Sequence, residues 1–191
     1  QAMNPVELLS TLGKNINKDN FKIDMNVMQH HYNGCGTCVH CSTGWQQLCV
    51  DGVKEVFGVT GHGANAKYMK CPANTLVRLR EDISFKSGAA ISCGTGTAWG
   101  TLDRLCLGSH ETLAVFGLRP VGLSAVMIAS SMGVNVIALD TNQQRLNRAK
   151  SFGAVNILNP LKSDHVVDAI KDLTKGLGAH ASIDASSSSE A

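Results

Sequence analysis

The sequence predicts an α/β protein in two parts: a mostly-β first half carrying a cysteine lobe, then a doubly wound, parallel α/β sheet. Three observations predict it. After Gly108, short apolar runs of the kind buried on both faces alternate with helical stretches, and that alternation gives a parallel sheet. Before Gly108 the pattern is a weak alternation of apolar and polar residues broken by Gly and Asn turns. Between residues 34 and 49, four cysteines stand in a C-x2-C-x2-C-x7-C array.

In chain order, residues 8–29 offer Leu8, Leu9, Leu12, Ile16, Phe21, Ile23, Val27 and Met28 as burial candidates for short strands, with Gly13 and the 15–20 asparagine cluster as turns. The lobe follows, then residues 53–59 and the Gly61-His62-Gly63 turn. Residues 66–71 alternate like a strand with one wet face, and 76–79 form another strand candidate. Ser84 caps a helix running through Ala89, Ala90 and Ile91. In the second half, a strand over 112–117 leads to a helix over 121–132 that Gly133 ends. A strand over 134–139, closed by Asp140, leads to a helix over 143–152 and then Gly153. A strand over 155–158, a helix over 164–175 and a strand beginning at Ala181-Ser182-Ile183 complete the series. The expected division is 1–93 and 94–191.

The array Cys35, Cys38, Cys41 and Cys49 has the spacing with which thiolates turn back onto one tetrahedral ion. A fourth thiolate closes such a site and leaves no position for water, which suits a structural zinc. Two disulfides would use the same residues, but nothing at the N-terminus has the layout of a secretory signal, and the other cysteines are scattered. A [4Fe–4S] cluster also takes four thiolates and stays as the minor alternative.

The turn after the first apolar run reads Gly117-Leu118-Arg119-Pro120-Val121-Gly122. A dinucleotide fingerprint carries glycine at its first, third and sixth positions: for the turn, for backbone approach to pyrophosphate and for helix packing. The first and last are present here, and Arg119 takes the middle. Asp140 ends the next strand, about twenty residues on, where an acid hydrogen-bonds adenosine ribose hydroxyls. That context points to NAD, and the carboxylate disfavours a 2′-phosphate. Asp140 also has the ordinary reading of a strand-end turn residue. The Arg119 side chain either pairs with pyrophosphate or crowds it.

A net charge of +2 spread along the chain, with 17% charged residues, gives no basic tract for nucleic acid or a membrane surface. No apolar run is long enough to span a bilayer. The expectation is a cytoplasmic protein without nucleic-acid or membrane partners. Gln1 stands first and 182–185 reads as a strand that has just begun its exit turn, so a fragment is expected.

With these residues the chain resembles the zinc-containing medium-chain dehydrogenases, the alcohol dehydrogenase family. The resemblance rests on the cysteine lobe, on Cys93-Gly94-Thr95-Gly96-Thr97-Ala98-Trp99-Gly100, on 115–123 and on Ala138-Leu139-Asp140. It implies part of a mostly-β GroES-like catalytic domain over 1–93 and the N-terminal half of a Rossmann domain over 94–191. It implies hydride transfer between a small alcohol and NAD, with a homo-oligomer in the full-length form. Cys93 matches a ligand of the family's separate catalytic zinc, Thr97 lies beside nicotinamide and Arg145 near the adenosine ribose. By the same match, Met3 stands where the family has a second, histidine ligand, and a further cysteine ligand falls before residue 1. His30, His31 and His62 are surface or turn histidines before they are substitutes. A polyol or threonine dehydrogenase would read the same way. A catalytically silent, zinc-stapled nucleotide-binding protein is the rival class, favoured by Met3 and Arg119.

Overall fold

A computed structural model describes residues 6–163 and 165–188. Met3 and its neighbours, Asp164 and Ser189 lie outside the described residues. The chain divides into two compact units, Gln1–Cys93 and Gly94–Ala191.

The first unit is built on a three-stranded antiparallel sheet: β1 (Val6–Leu8), β2 (Asn26–Gln29) and, further along, β5 (Leu76–Arg78), in the order β1-β2-β5. Val27 pairs with Glu7 on one side and Arg78 on the other. A second ribbon pairs β3 (Tyr32–Asn33) with β4 (Glu55–Val56), and the cysteine lobe with its single helical turn α1 (Val39–Ser42) lies between them in sequence. Helix α2 (Phe85–Ala90) begins at Ser84, whose side chain accepts the Ser87 N–H. Gly88 faces the sheet: a Cβ there would stand 3.0 Å from Val6 and 3.1 Å from Leu79, so the absence of a side chain sets how closely helix and sheet pack. The helix does not run on in α form. Residues Ile91–Thr95 widen into a π-helical turn that carries Cys93, a feature found disproportionately at functional positions.

Two expectations fail in this unit. Residues 66–71 are not a strand. Alternation supplies a wet face and a dry one, but a strand also needs a neighbour to take its ladder, and none of the described strands pairs with this run. Of the apolar candidates in 8–29, only Val27 is fully buried, while Leu8 and Ile23 are more than half exposed.

The second unit opens with α3 (Gly96–Leu105) and continues as strand–helix alternation: β6 (Thr112–Phe116), α4 (Pro120–Ser131), β7 (Asn135–Leu139), α5 (Gln143–Ser151), β8 (Asn156–Leu158), α6 (Val166–Leu173) and β9 (Ala181–Asp184). The four strands are parallel, in the order β8-β7-β6-β9. Alternate residues explain the layers. Leu113, Val115, Val136 and Ala138 point to one face and pack with α3, α4 and α5. Ala114, Ile137 and Leu139 point to the other and pack with Ile170 of α6. Both faces are covered, which is why β6 and β7 read as unbroken apolar runs. The order also has a reversal: the chain steps from β6 out to β7 and β8, then returns to the far side of β6 for β9. A crevice at such a reversal, beyond the carboxyl ends of the strands, is where α/β sheets bind ligands.

Candidate functional site

The cysteine lobe brings its four candidates together. One ligand atom from each of Cys35, Cys38, Cys41 and Cys49 lies within 4.8 Å of all the others, and this is the one such group of three or more metal-ligating side chains among the described residues. The sulfurs of Cys35 and Cys41 stand 3.9 Å apart. Four sulfurs about 2.3 Å from a central zinc would lie about 3.8 Å from one another, so the cluster is slightly open relative to that geometry. All seven cysteines are free thiols, and 3.9 Å is far from a disulfide bond.

Backbone amides prepare the sulfurs for charge. The Thr37 and Cys38 N–H groups donate to Cys35 Sγ at 3.4 and 3.3 Å, the Cys41 N–H to Cys38 Sγ at 3.5 Å, and the Cys35 N–H to Cys49 Sγ at 3.3 Å. The Thr37 hydroxyl and amide hold the Cys35 thiol below its ordinary value. The amides of Cys41 and Val50 bring Cys38 down to about 6. The Gly36 amide acts on Cys41 in the same direction, but burial and the adjoining sulfurs of Cys38, Cys49 and Cys35 outweigh it and push Cys41 up to about 11. Four thiolates this close repel one another, and a divalent cation removes that conflict. Four soft thiolates in a closed tetrahedral arrangement fit zinc.

Two residues with no cysteine-like signature complete the lobe. Gly34 leaves room for the metal site, since a Cβ there would run into Cys41 Sγ. Gln46 is buried and acts as a brace: its Oε1 accepts the Gly34 N–H at 3.0 Å and its Nε2 donates to the Asn74 carbonyl at 3.2 Å. Sequence reading missed Gln46, because no spacing rule marks a glutamine that bonds backbone on both sides.

The dinucleotide-type turn sits at the strand-order reversal. Gly117 follows β6 with φ +83°, a left-handed conformation, and a Cβ there would collide with the backbone of Ser186, which crosses after β9. Only glycine satisfies both conditions. Gly122 lies against the Gly117 carbonyl so closely that any Cβ would overlap it, which is the helix-packing role of the last fingerprint glycine. Arg119 is exposed and caps α4 in an extended conformation, φ −79° and ψ −174°, which any residue adopts without strain. Pro120 takes the first helical position, where its missing N–H is not needed. The amides of Val121 and Gly122 are then the first donors at the positive end of α4. Leu118 is fully buried, its N–H pointing inward.

Asp140 follows β7 and is 7% exposed. Its Oδ2 accepts the Leu118 N–H at 2.8 Å, and its Oδ1 accepts the Asn142 N–H at 2.8 Å. Arg145 Nη1, from α5, lies 3.5 Å from Oδ2. Burial pushes this carboxyl up, but the Leu118 and Asn142 amides and the Arg145 guanidinium outweigh it and hold the group below the usual carboxylate value.

Cys93 is half-buried on the π-helical turn and belongs to no group of three or more metal-ligating side chains among the described residues. Thr97 is exposed in the first turn of α3, and its carbonyl accepts the Thr101 hydroxyl at 2.9 Å. Gly94 and Thr95 pack on α4. A Cβ on Gly94 would stand 3.5 Å from Pro120, and the Thr95 and Ser124 hydroxyls are 3.1 Å apart. His30, His31 and Tyr32 form a ring cluster with centroids 4.3 to 5.7 Å apart, and burial holds both imidazoles below their ordinary pKa. Among the described residues, neither they nor His62 join Cys93 in a group of three or more metal-ligating side chains.

A GroES-like β portion with a four-thiolate lobe, followed by part of a Rossmann-type parallel sheet, is the architecture of a medium-chain dehydrogenase. Residues 9–81 match the family model for the alcohol dehydrogenase GroES-like domain, and residues 120–191 match that for the zinc-binding dehydrogenase domain. The chain belongs to the zinc-type alcohol dehydrogenase family. It is 32% identical over 167 residues to the zinc-type alcohol dehydrogenase-like protein YphC of Escherichia coli, covering 87% of this chain and 47% of that protein. It is 34% identical over 174 residues to the L-threonine 3-dehydrogenase of Bacillus subtilis, covering 90% and 48%. Among solved structures it is similar to alcohol dehydrogenase TADH from Thermus sp. ATN1, with a TM-score of 0.84 and 26% identity over 96% of this chain and 54% of that one. The chain spans about half the length of the curated relatives it matches. No helix among the described residues is long and apolar enough to cross a membrane.

Proposed function

We propose that the protein is a zinc-dependent oxidoreductase that moves a hydride between a small alcohol and NAD, and that the 191-residue polypeptide carries the structural-zinc lobe and the first half of the cofactor fold. The observation that carries this is the glycine turn at the strand-order reversal, with Asp140 beside it and a parallel sheet beneath it. Similarity to a solved NAD-dependent alcohol dehydrogenase, 26% identical to this chain, supports the choice of cofactor. A second reading, a threonine or polyol dehydrogenase, is favoured by the 34% identity to an L-threonine 3-dehydrogenase.

The residues divide the work as follows. Cys35, Cys38, Cys41 and Cys49 hold a structural zinc with no open position. Gly117, Leu118 and Gly122 shape the turn, and the amides following Pro120, with the positive end of α4, receive pyrophosphate. Arg119, exposed at the cap, adds a positive charge to that contact. Asp140 and Arg145 face the adenosine ribose, Thr97 lies by the nicotinamide, and Cys93 is one ligand of a catalytic zinc. Such a zinc, when bound, lowers the pKa of the alcohol hydroxyl. A catalytic zinc takes three protein ligands, and Cys93 belongs to no group of three or more metal-ligating side chains among the described residues. The polypeptide of 191 residues alone therefore does not oxidise alcohols, while the longer enzyme, a homo-oligomer in the cytoplasm, does.

Equilibrium titration with NAD and NADP, together with an assay of simple alcohols, tests the reading. NAD binds more tightly than NADP, and turnover is absent. Preference for NADP would remove Asp140 from the ribose, and NAD-dependent turnover would show that other residues complete the catalytic site.

A further inference from the structure

Cofactor recognition gives Asp140 one task, the ribose hydroxyls. Its contacts describe another. The carboxylate already accepts the Leu118 N–H at 2.8 Å and the Asn142 N–H at 2.8 Å, with Arg145 3.5 Å from the oxygen that Leu118 uses. A carboxylate has about four acceptor positions, and these contacts already occupy three of them, so ribose is not its only partner. Leu118 is fully buried, so its N–H has no solvent to turn to if the carboxylate is removed. That N–H belongs to the peptide joining Leu118 to Gly117, whose left-handed φ starts the turn. One residue later, the Arg119 carbonyl accepts the Leu123 N–H in the first turn of α4.

We infer that Asp140 is a positioning residue for the dinucleotide turn: by accepting the Leu118 N–H it fixes the peptide between Gly117 and Leu118, and so sets the direction in which the N-terminus of α4 points. This action needs no ligand. It makes a distinct statement about cofactor choice, and only that part rests on the nucleotide-binding reading proposed above. Removing the carboxylate loosens the pyrophosphate cradle for NAD and NADP alike. A carboxylate that acted on ribose alone would behave otherwise, because its removal would relieve repulsion of a 2′-phosphate and let NADP bind better.

The test is amide hydrogen exchange followed by NMR on the full 191-residue chain, in the wild type, Asp140→Asn and Asp140→Ala, with NAD and NADP titrations of each. The Leu118 amide is protected in the wild type, less protected with Asn, which keeps one acceptor oxygen, and least with Ala. The Val115 amide, in the middle of β6, keeps its protection in all three, which separates a loosened turn from a loosened fold. Both cofactors weaken together by about tenfold or more in the Ala variant, the size of an unsatisfied buried donor. Should Asp140→Ala fail to fold, the Asn variant carries the same comparison. Unchanged Leu118 exchange in the variants overturns the inference, as does NADP tightening while NAD weakens. If the wild type binds neither dinucleotide, the cofactor reading fails and Leu118 exchange still decides the positioning role.

Discussion

The carboxylate of Asp140 stands 2.8 Å from the backbone nitrogen of Leu118, a bond that ties the end of β7 to the turn leaving β6. The two residues are 22 positions apart, yet they hold adjacent strand ends at the place where the sheet reverses its order.

That bond makes stability depend on pH with a definite sign. The folded carboxyl lies below its unfolded value, so the stabilisation is fully present above the unfolded pKa and is lost as pH falls through the depressed folded one. Thermal melts between neutral pH and the acid range should show this loss in the wild type and a flatter profile in Asp140→Asn. At neutral pH the Ala variant should be less stable by about 1–3 kcal/mol, from the buried Leu118 N–H left without an acceptor.

Gly122→Ala should damage the cofactor unit out of proportion to one methyl group. Its Cβ would overlap the Gly117 carbonyl, a backbone atom that cannot swing aside as a flexible side chain does. A cost of about 1–3 kcal/mol follows from overpacking alone, and NAD affinity should fall with it. Denaturant melts and the NAD titration measure the two effects. A variant with wild-type stability would mean that helix and turn separate more easily than their contact implies.

Metal analysis of the purified chain should give near one zinc per chain, because only the four-cysteine cluster gathers a full ligand set among the described residues. Cys49→Ser should lower that figure and the lobe's resistance to proteolysis together, since binding and folding of such lobes are coupled. A second, stoichiometric zinc would place ligands around Cys93 that the described residues do not supply.

Gln46→Ala should weaken the lobe without touching a sulfur. It leaves the Gly34 N–H and the Asn74 carbonyl without their partner, a loss of about 1–3 kcal/mol if water does not replace it. Zinc retention against a competing chelator should fall relative to the wild type. Retention equal to the wild type would show that the lobe holds its shape through the amide–sulfur bonds alone.

Local features were the legible ones. Cysteine spacing is a short-range property, and four sulfurs so placed had few ways to miss each other. The alternation of apolar runs with helices in the second half named both the layers and the turn at Gly117. What escaped depends on partners distant in the chain. Gln46 reaches Asn74 across 28 positions, and one oxygen of Asp140 accepts the Leu118 N–H across 22, a bond that no motif marks. Residues 66–71 have the right pattern for a strand, but pairing is decided by what lies alongside. Leu8 and Ile23 alternate correctly and remain exposed, because periodicity says which face is apolar and not whether another layer covers it. The π-helical turn at Cys93 has no signature in composition at all.

The 3.9 Å between the sulfurs of Cys35 and Cys41 also bears on how long the protein keeps working. A zinc ion holds these sulfurs as ligands and withholds them from oxidants. Once the ion is gone, the four sulfurs lose their shared ligand and become open to oxidants, which attack thiolates. A disulfide formed at that point would have to be reduced before the lobe could take the metal back. For this chain, a brief loss of zinc in air would leave a mark that outlasts the return of zinc, and service life would be set by the redox history of four side chains.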